Sequence, residues 1–436
     1  MTEIQEPLRP LEKPESTNPD GSKTSWVMRE PRELEPGEET SPFKTGMAVA
    51  VLVGLLGLLW FGAGPRYFLV VIGVLVMIFL HELGHFMTAR WTGMKATQFF
   101  MFMGPRIFSF RRGETEYGLR ALPIGAFVRI VGMNNLDPYD PADEDRAYKN
   151  KSFPRRMLVI TAGSLMHFIQ ALILFIVLSS VIGVDNPAQW SISEISMLET
   201  GETPAVTAGL QPGDTVVAVN GVDTTDFRDL QAELGDKPDE DVTLTVLSEG
   251  VESEVVTTLA ARPTTDGQTL GFLGVAPAFE KDRLSPLVGV QDFGSAMWQT
   301  LKVLPGFLSP STLLNLGSLV LDGSEDVSLD SAEAANRPIS MIGAVRFAGS
   351  PQFDWTVPIF MLAVINIFVG VFNLLPFPPL DGGHAAVAIY ERIRSIGGKR
   401  HEMDVAKLLP LTWAVVFVLM FLMVTTVWLD LFRPIG

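Results

Sequence analysis

The residues with the most distinctive chemistry are His81, Glu82 and His85, which form the motif HELGH at positions 81–85. On a helix, residues four positions apart lie on one face, so both imidazoles can ligate a single metal ion. Zn²⁺ held in this way lowers the pKa of a coordinated water towards neutrality, and the neighbouring Glu82 carboxylate can pass the proton to a leaving amine. The spacing predicts a hydrolytic zinc site with His81 and His85 as ligands and Glu82 as the general base.

The surroundings of this motif strengthen the prediction. HELGH lies in the apolar run 67–91, where ionisable side chains are costly against lipid and are usually paired or functional. The alternative interpretation is a polar cluster that only packs one helix against another. The chain has five histidines and no cysteine, so disulfides and thiolate ligands are excluded and any further ligand must be a histidine or a carboxylate.

A third ligand is expected, because a catalytic zinc site usually has three protein ligands and keeps one position open. The main candidate is Asp381, which stands in NLLPFPPLDGGH at 373–384 and follows the apolar run 356–376. The prolines of this segment break the helix, and the two glycines after Asp381 allow the backbone to turn tightly. The alternative is that Asp381 caps a helix over 383–395, and the residues alone favour neither interpretation.

Four apolar runs reach the ~20 residues that a membrane-spanning helix requires, and a fifth is marginal. The four runs are 67–91, 157–183, 356–376 and 409–430, and the marginal one is 46–62. Basic residues concentrate in 90–156 and 391–407, which predicts by the positive-inside rule that both segments face the cytoplasm. The acidic segment 185–285 then lies outside, and His81 and Asp381 lie at a similar depth near the cytoplasmic side.

The segments between these runs differ in character. Residues 1–44 are polar and predict a disordered cytoplasmic tail. Residues 92–156 predict a membrane-associated cytoplasmic region, in which 97–130 carries the aromatic and branched residues and the turn signals of strands and hairpins. Residues 286–350 predict an interfacial amphipathic region.

Residues 195–280 predict a separate soluble module, because short apolar runs alternate there with turn residues. The stretch AGLQPGD at 208–214, followed by VVAVNG at 216–221, resembles a PDZ domain; the alternative is another small β-rich module. PDZ folds bind extended peptides by adding them to a sheet edge. The predicted fold class is a polytopic α-helical membrane protein with a cytoplasm-side β-hairpin region and an inserted extracytoplasmic PDZ-like β/α domain.

The combination of HELGH in an early span with NLLPFPPLDG in a late one resembles the site-2 protease family of intramembrane zinc metalloproteases, peptidase family M50. The family pattern is HExxH plus NxxPxPxLDG, and both parts are complete here. The PDZ-like insert between them is similar to the bacterial branch that performs regulated intramembrane proteolysis. The resemblance covers about 67–430, which is most of the chain.

This resemblance implies a role for each matching residue. His81, His85 and Asp381 would ligate one Zn²⁺ per chain, and Glu82 would be the general base. Asn373 would contact the substrate backbone or the oxyanion that develops on it. The strands of 97–130 would offer an edge to an unwinding substrate helix.

The chain also departs from the family pattern at a few positions. Ser164 and His167 stand where the family commonly has Gly-Pro and then Asn, and Ala126 replaces a usual glycine. His167 falls within a span and needs a polar partner; we favour a helix–helix hydrogen bond over a contact near the site or an extra metal ligand. His384, three residues after Asp381, is a candidate for support of the ligands.

The function implied by the resemblance is cleavage within or near the transmembrane segment of single-span proteins, such as anti-sigma factors, after a first external cut. The location would be the bacterial inner membrane, with the active site towards the cytoplasm. The expected partners are these substrates, a peptide or protein tail at the PDZ-like domain, and membrane lipid, but not nucleic acid. A scaffold with a residual metal site would be expected to lose Glu82 or Asp381, and a metal transporter would need ligands along several spans; neither pattern is present.

Overall fold

The computed structural model describes residues 42–133, 139–195, 203–263, 269–307, 309–321, 338–350, 353–397 and 401–433. The tail predicted for 1–44 lies outside the described residues except for its last three. The helices of the described part are α1 (Pro42–Leu58), α2 (Pro65–Trp91), α3 (Phe153–Val177), α4 (Pro204–Thr207), α5 (Phe227–Gly235), α6 (Pro286–Phe307), α7 (Pro310–Leu321), α8 (Met341–Gly349), α9 (Thr356–Asn373), α10 (Asp381–Arg394) and α11 (Leu409–Phe432).

Four helices of the described part are long and apolar enough to cross a membrane. They are α2, α3 with its π-helical continuation Leu178–Ile182, α9, and α11 with the turn before it. Each contains most of one apolar run of the sequence. Helix α9 ends at Asn373, before the predicted 376. A proline disfavours helical backbone at the residue before it, and this segment contains Pro376 and, two residues later, Pro378.

The first apolar run forms α1 and a π-helical turn, Leu59–Ala63. Gly64 then adopts a φ of 107°, which separates this helix from α2 and its initial Pro65. The apolar part of this helix, Val49–Ala63, is shorter than the ~20 residues needed to cross a bilayer. Whether 46–62 spans the membrane therefore stays a prediction.

The region 286–350, predicted as interfacial and amphipathic, contains α6, α7 and α8 in its described part, and its place at the membrane interface stays a prediction. Helices α6 and α7 meet at 71° across a short break, as in a broken span or a re-entrant loop. Leu304 of α6 belongs to the core formed by α3 and α9, and Leu316 of α7 packs with Leu422 and Leu429 of α11. Both helices are thus fixed by the spanning helices.

Helix α3 lies at the centre of the helical part and packs against α2, α6, α9 and α10. Small residues allow the close approach of its neighbours. A Cβ on Gly84 of α2 would lie 2.8 Å from the Ala162 carbonyl oxygen, and one on Gly289 of α6 would lie 2.7 Å from the Ile176 Cα. Small residues have this role in membrane helix packing generally, because they bring backbones close together.

Residues 96–130 form two long strands, β1 (Ala96–Arg112) and β2 (Thr115–Ile130). The pairing folds this hairpin on itself, because residues 98–101 pair both with 126–129 and with 116–119. Residues 126–130 pair with β1 on one side only within the described part of the chain. Phe99 of β1 packs on Phe86 of α2, beside Leu83 and Val128, so the hairpin lies against the helix that carries HELGH.

The inserted module has its own core. The first and last strands, β3 (Val184–Ile195) and β10 (Val275–Asp282), pair with each other, so the module begins before the predicted 195. Between them lie β4 (Thr215–Val219), β5 (Val222–Asp223), β6 (Asp241–Ser248) and β7 (Val251–Thr258), in the sheet order β5-β4-β6-β7, and the pair β8 (Ala260–Pro263) and β9 (Thr269–Phe272). Trp190, Leu230 and Leu244 are buried together.

Candidate metal centre

The two histidines of HELGH lie side by side near the end of α2. Their Nε2 atoms are 3.2 Å apart, as expected for residues four positions apart on one helix face. Both side chains are buried, because α3 crosses α2 directly over them. A Cβ on Gly163 of α3 would lie 2.4 Å from both rings, so only a glycine leaves room for the two imidazoles here.

Asp381 joins this pair from a different helix. Its Oδ2 atom lies 3.4 Å from His81 Nε2 and 3.2 Å from His85 Nε2. Asp381 is the first residue of α10, whereas the N-cap residue is Leu380, and no side-chain capping bond forms there. The capping interpretation therefore does not describe the conformation of Asp381.

The segment 374–383 returns the chain tightly from α9 into α10. A Cβ on Gly382 would lie 2.2 Å from the Leu375 carbonyl oxygen, and one on Gly383 would lie 2.6 Å from the Pro378 nitrogen. No larger residue fits at either position without moving the backbone. The Pro-rich segment and the two glycines thus position Asp381 opposite the histidines.

The geometry of these three side chains fits a zinc ion. Ligand atoms about 2.1 Å from a tetrahedral Zn²⁺ lie about 3.4 Å from one another, and the three distances here are 3.2, 3.2 and 3.4 Å. Asp381 Oδ2 is buried and has no hydrogen-bond donor within the described part of the chain. A buried acceptor without a partner requires an explanation, and a bound cation provides one.

The backbone of α3 determines which nitrogen of His85 is available. Nδ1 of His85 lies 2.7 Å from the Val159 carbonyl oxygen, so Nδ1 carries the hydrogen and donates a hydrogen bond to this oxygen. The lone pair of Nε2 then points towards Asp381 and His81. Metal-binding histidines are usually oriented in this way, and a set of two imidazoles and one carboxylate is typical of catalytic zinc.

Glu82 lies next to these side chains and faces the hairpin. Its carboxyl group is close enough to interact electrostatically with His85, Asp381 and the backbone of Val128 in β2. Glu82 therefore stands between the candidate ligands and residues 126–130, which pair with β1 on one side only within the described chain.

His167 is buried behind His81, and their ring centroids are 4.9 Å apart. Its Nδ1 atom donates to Asn366 Oδ1 at 3.0 Å, and Asn366 Nδ2 donates to the Leu362 carbonyl oxygen at 2.8 Å. The pair is thus a hydrogen bond between α3 and α9, outside the group of three candidate ligands. Asn366 was not singled out in the sequence; its signal is an amide within an apolar run, which requires a buried partner.

The two remaining candidates lie at either end of the segment between α9 and α10. His384 is partly buried in the first turn of α10, close enough to Asp381 for an electrostatic interaction. Burial lowers the pKa of His384, against the opposing effect of the Asp381 charge. Asn373 is the last residue of α9 and is partly buried; it does not belong to the group of candidate ligands.

Comparison with known proteins relates this geometry to a family. Residues 67–422 match Peptidase family M50. The zinc metalloprotease Rip1 of Mycobacterium tuberculosis is 32% identical over 84% of this chain and 96% of its own length. Rip1 of Mycolicibacterium smegmatis is 31% identical, with 86% and 99% covered, and Rip1 of Mycobacterium bovis is 33% identical, with 84% and 96% covered.

Proposed function

Because the chain belongs to peptidase family M50 and is a zinc metalloprotease, we propose that it hydrolyses peptide bonds within or near the transmembrane segment of single-span proteins. In this proposal His81, His85 and Asp381 hold one Zn²⁺ per chain and Glu82 is the general base. The observation that carries the proposal is the spacing of 3.2–3.4 Å between the ligand atoms of His81, His85 and Asp381, two of which lie on α2, a helix long and apolar enough to cross a membrane.

The chemistry divides between the ion and the protein. A Zn²⁺ bound at this site supplies an activated water and polarises the scissile carbonyl. The Glu82 carboxylate accepts a proton from the attacking water and delivers it to the leaving amide nitrogen, which departs as a neutral amine. Asn373 donates a hydrogen bond from its amide to the oxyanion as negative charge develops. His384 supports the position of Asp381.

The hairpin provides a way to present the substrate. A peptide bond within a helix is shielded by its own turn, so cleavage requires an extended segment whose backbone groups are paired to the enzyme. Residues 126–130 of β2 can pair with such a segment on their open side, and the proximity of Glu82 to the Val128 backbone supports cleavage next to this edge.

His167 serves helix packing in this proposal. Its hydrogen bond to Asn366 joins α3 to α9. His81, His85 and Asp381 already provide the three protein ligands that a catalytic zinc site usually has. The ring stands close to His81 and limits how far that imidazole can turn.

The proposed orientation puts the basic segments 90–156 and 391–407 and the active site towards the cytoplasm of a bacterial inner membrane. The module between β3 and β10 is then extracytoplasmic. Its four-stranded sheet and separate core support a PDZ-like domain that binds a peptide or protein tail. Such a module suits substrates like anti-sigma factors, which would be admitted after a first cut removes their external domain.

The test uses the purified full chain, reconstituted with a single-span anti-sigma-factor-like protein that lacks its external domain. Glu82→Gln keeps the three ligands but removes the base, so cleavage should fall by roughly 10²–10⁴-fold while zinc content stays at the wild-type level. Wild-type rates in this variant would refute the role of Glu82. Absence of metal-dependent cleavage in the wild type would favour a scaffold with a residual metal site.

A further inference from the structure

A polar cavity of about 410 Å³ lies between the start of α3 and the second half of α10. It belongs neither to the metal centre nor to the module. Its polar lining includes Lys149, Lys151, Ser152, Arg156, Glu391 and Arg392. Because α3 is a spanning helix that begins at Phe153, the cavity lies where that helix enters the membrane surface.

The charges around this cavity are unbalanced. Four cations, Lys149, Lys151, Arg156 and Arg392, face two carboxylates, Glu391 and Glu402. Both carboxylate oxygens of Glu391 already have a donor within the fold. Oε2 accepts a hydrogen bond from Arg156 at 2.7 Å, and Oε1 accepts one from the Met403 N–H at 2.9 Å. Arg156 is therefore paired within the fold and Lys149 lies 3.5 Å from Glu144, so the remaining positive charge comes from Lys151 and Arg392.

Two of these cations have no protein counter-ion. Neither Lys151 nor Arg392 forms an ion pair or a side-chain hydrogen bond with any residue that the structure describes. Ser152 also lines the cavity, next to Lys151 in the chain, and its hydroxyl makes no capping bond to α3. An ammonium, a guanidinium and a hydroxyl together are the donors that recognise phosphate.

The outer surface beside the cavity is apolar. Ile389, Ile393 and Ile396 are 43%, 60% and 75% exposed, and their spacing of four and three residues aligns them on one face of α10 and its end. Leu158, in the second turn of α3, is also exposed. A free phosphate ion would use only the polar cavity, whereas a phospholipid would use the cavity and this apolar stripe together.

We propose that the cavity binds the phosphate of an anionic phospholipid through Lys151, Ser152 and Arg392, with the acyl chains along Ile389, Ile393 and Ile396. Basic pockets at the ends of membrane helices bind anionic headgroups in this manner. The lipid would tie α3 to α10, in addition to the Arg156–Glu391 ion pair. Binding depends on the membrane location of the chain and not on its proposed catalytic residues.

The experiment measures lipid bound to the zinc-loaded full chain in nonionic detergent by native mass spectrometry, with phosphatidylglycerol, phosphatidylcholine and inorganic phosphate as probes. The wild type should bind phosphatidylglycerol in preference to phosphatidylcholine, and binding should raise Tm, because a ligand specific to the folded state stabilises it. Lys151→Gln and Arg392→Gln should each weaken phosphatidylglycerol binding by roughly fivefold, and the double variant by roughly 30-fold.

The matched control is the double variant Arg155→Gln and Arg394→Gln, which removes the same charge from the same two segments without touching the cavity lining. It should bind phosphatidylglycerol like the wild type. Equal losses in the test and control variants, or wild-type binding by the test variant, would overturn the proposal. Full competition by inorganic phosphate would identify a free-phosphate site instead and would also overturn it.

Zinc content is recorded in the same samples. Unchanged zinc in every variant separates this test from that of the metal centre, because lipid binding can fail while the protease site stays intact. The single variants keep the proposal testable if the double variant does not fold.

Discussion

Asp381 Oδ2 lies 3.2 Å from His85 Nε2, although one residue begins α10 and the other belongs to α2, the first of the long apolar helices. Three features produce this contact. The Val159 carbonyl orients the imidazole, Gly163 leaves room for it, and the glycines after Asp381 allow α10 to start at the correct point. The contact is the basis of the first prediction.

Asp381→Ala should remove a zinc ligand. We expect zinc affinity to fall by more than the roughly 10–100-fold that is typical of losing a residue that only supports a ligand. Zinc content and affinity are measured by metal analysis after dialysis against graded chelator. Asp404→Ala, which removes an exposed carboxylate that caps a short turn, is the control and should bind zinc normally. Normal zinc affinity in Asp381→Ala would exclude it as a ligand.

Gly163→Ala should disturb the centre without removing any ligand. The added methyl would lie 2.4 Å from His81 and His85, and inserting atoms into a packed interior typically costs about 1–3 kcal/mol. We expect weaker zinc binding and a lower Tm. Gly294→Ala in α6, where a Cβ meets nothing within 4 Å, should be neutral. A Gly163→Ala protein with wild-type zinc affinity and Tm would show that α2 and α3 are not packed so closely.

His167 and Asn366 should act as a coupled pair. Single and double alanine variants form a cycle whose unfolding free energies isolate the hydrogen bond, and we expect a coupling of about 1 kcal/mol. Zinc content should be unchanged in all three variants. Loss of zinc in His167→Ala but not in Asn366→Ala would mean that His167 is a ligand, contrary to the packing role proposed here.

The inserted module should be removable without loss of the metal centre. Asn186 and Glu280 lie opposite each other where β3 and β10 pair, so a short Gly-Ser linker can replace residues 187–279. Zinc content and cleavage of a trimmed substrate should persist, and an untrimmed substrate should now be cut as well. Restriction to trimmed substrates after the deletion would contradict the proposal that the module selects them.

Sequence alone identified much of the candidate site but not how it is supported. The spacing of His81 and His85 carries a helical signal, and both the motif around Asp381 and its predicted depth indicate that Asp381 lies near them. Val159 contributes a backbone carbonyl, which no residue pattern reveals. Asn366 is a single amide in an apolar run and has no periodic partner, so its bond to His167 depends on the packing of α3 against α9 and leaves no pattern in the sequence.

The fold was predictable to the same degree. Long apolar runs predict the helices that are long and apolar enough to cross a membrane, because length and hydropathy alone select them. The sequence does not predict the 71° angle between α6 and α7 or the double pairing of residues 98–101. Both depend on contacts between segments that are distant in sequence or on a local bend, neither of which leaves a periodic signal.

The most direct test of the central claim is X-ray absorption at the zinc edge on the purified wild-type protein, combined with zinc stoichiometry. The account predicts one zinc per chain, with two imidazole nitrogens and a carboxylate oxygen at about 2.0–2.2 Å. A spectrum that requires three imidazoles and no carboxylate would exclude Asp381 as the third ligand and would contradict the account.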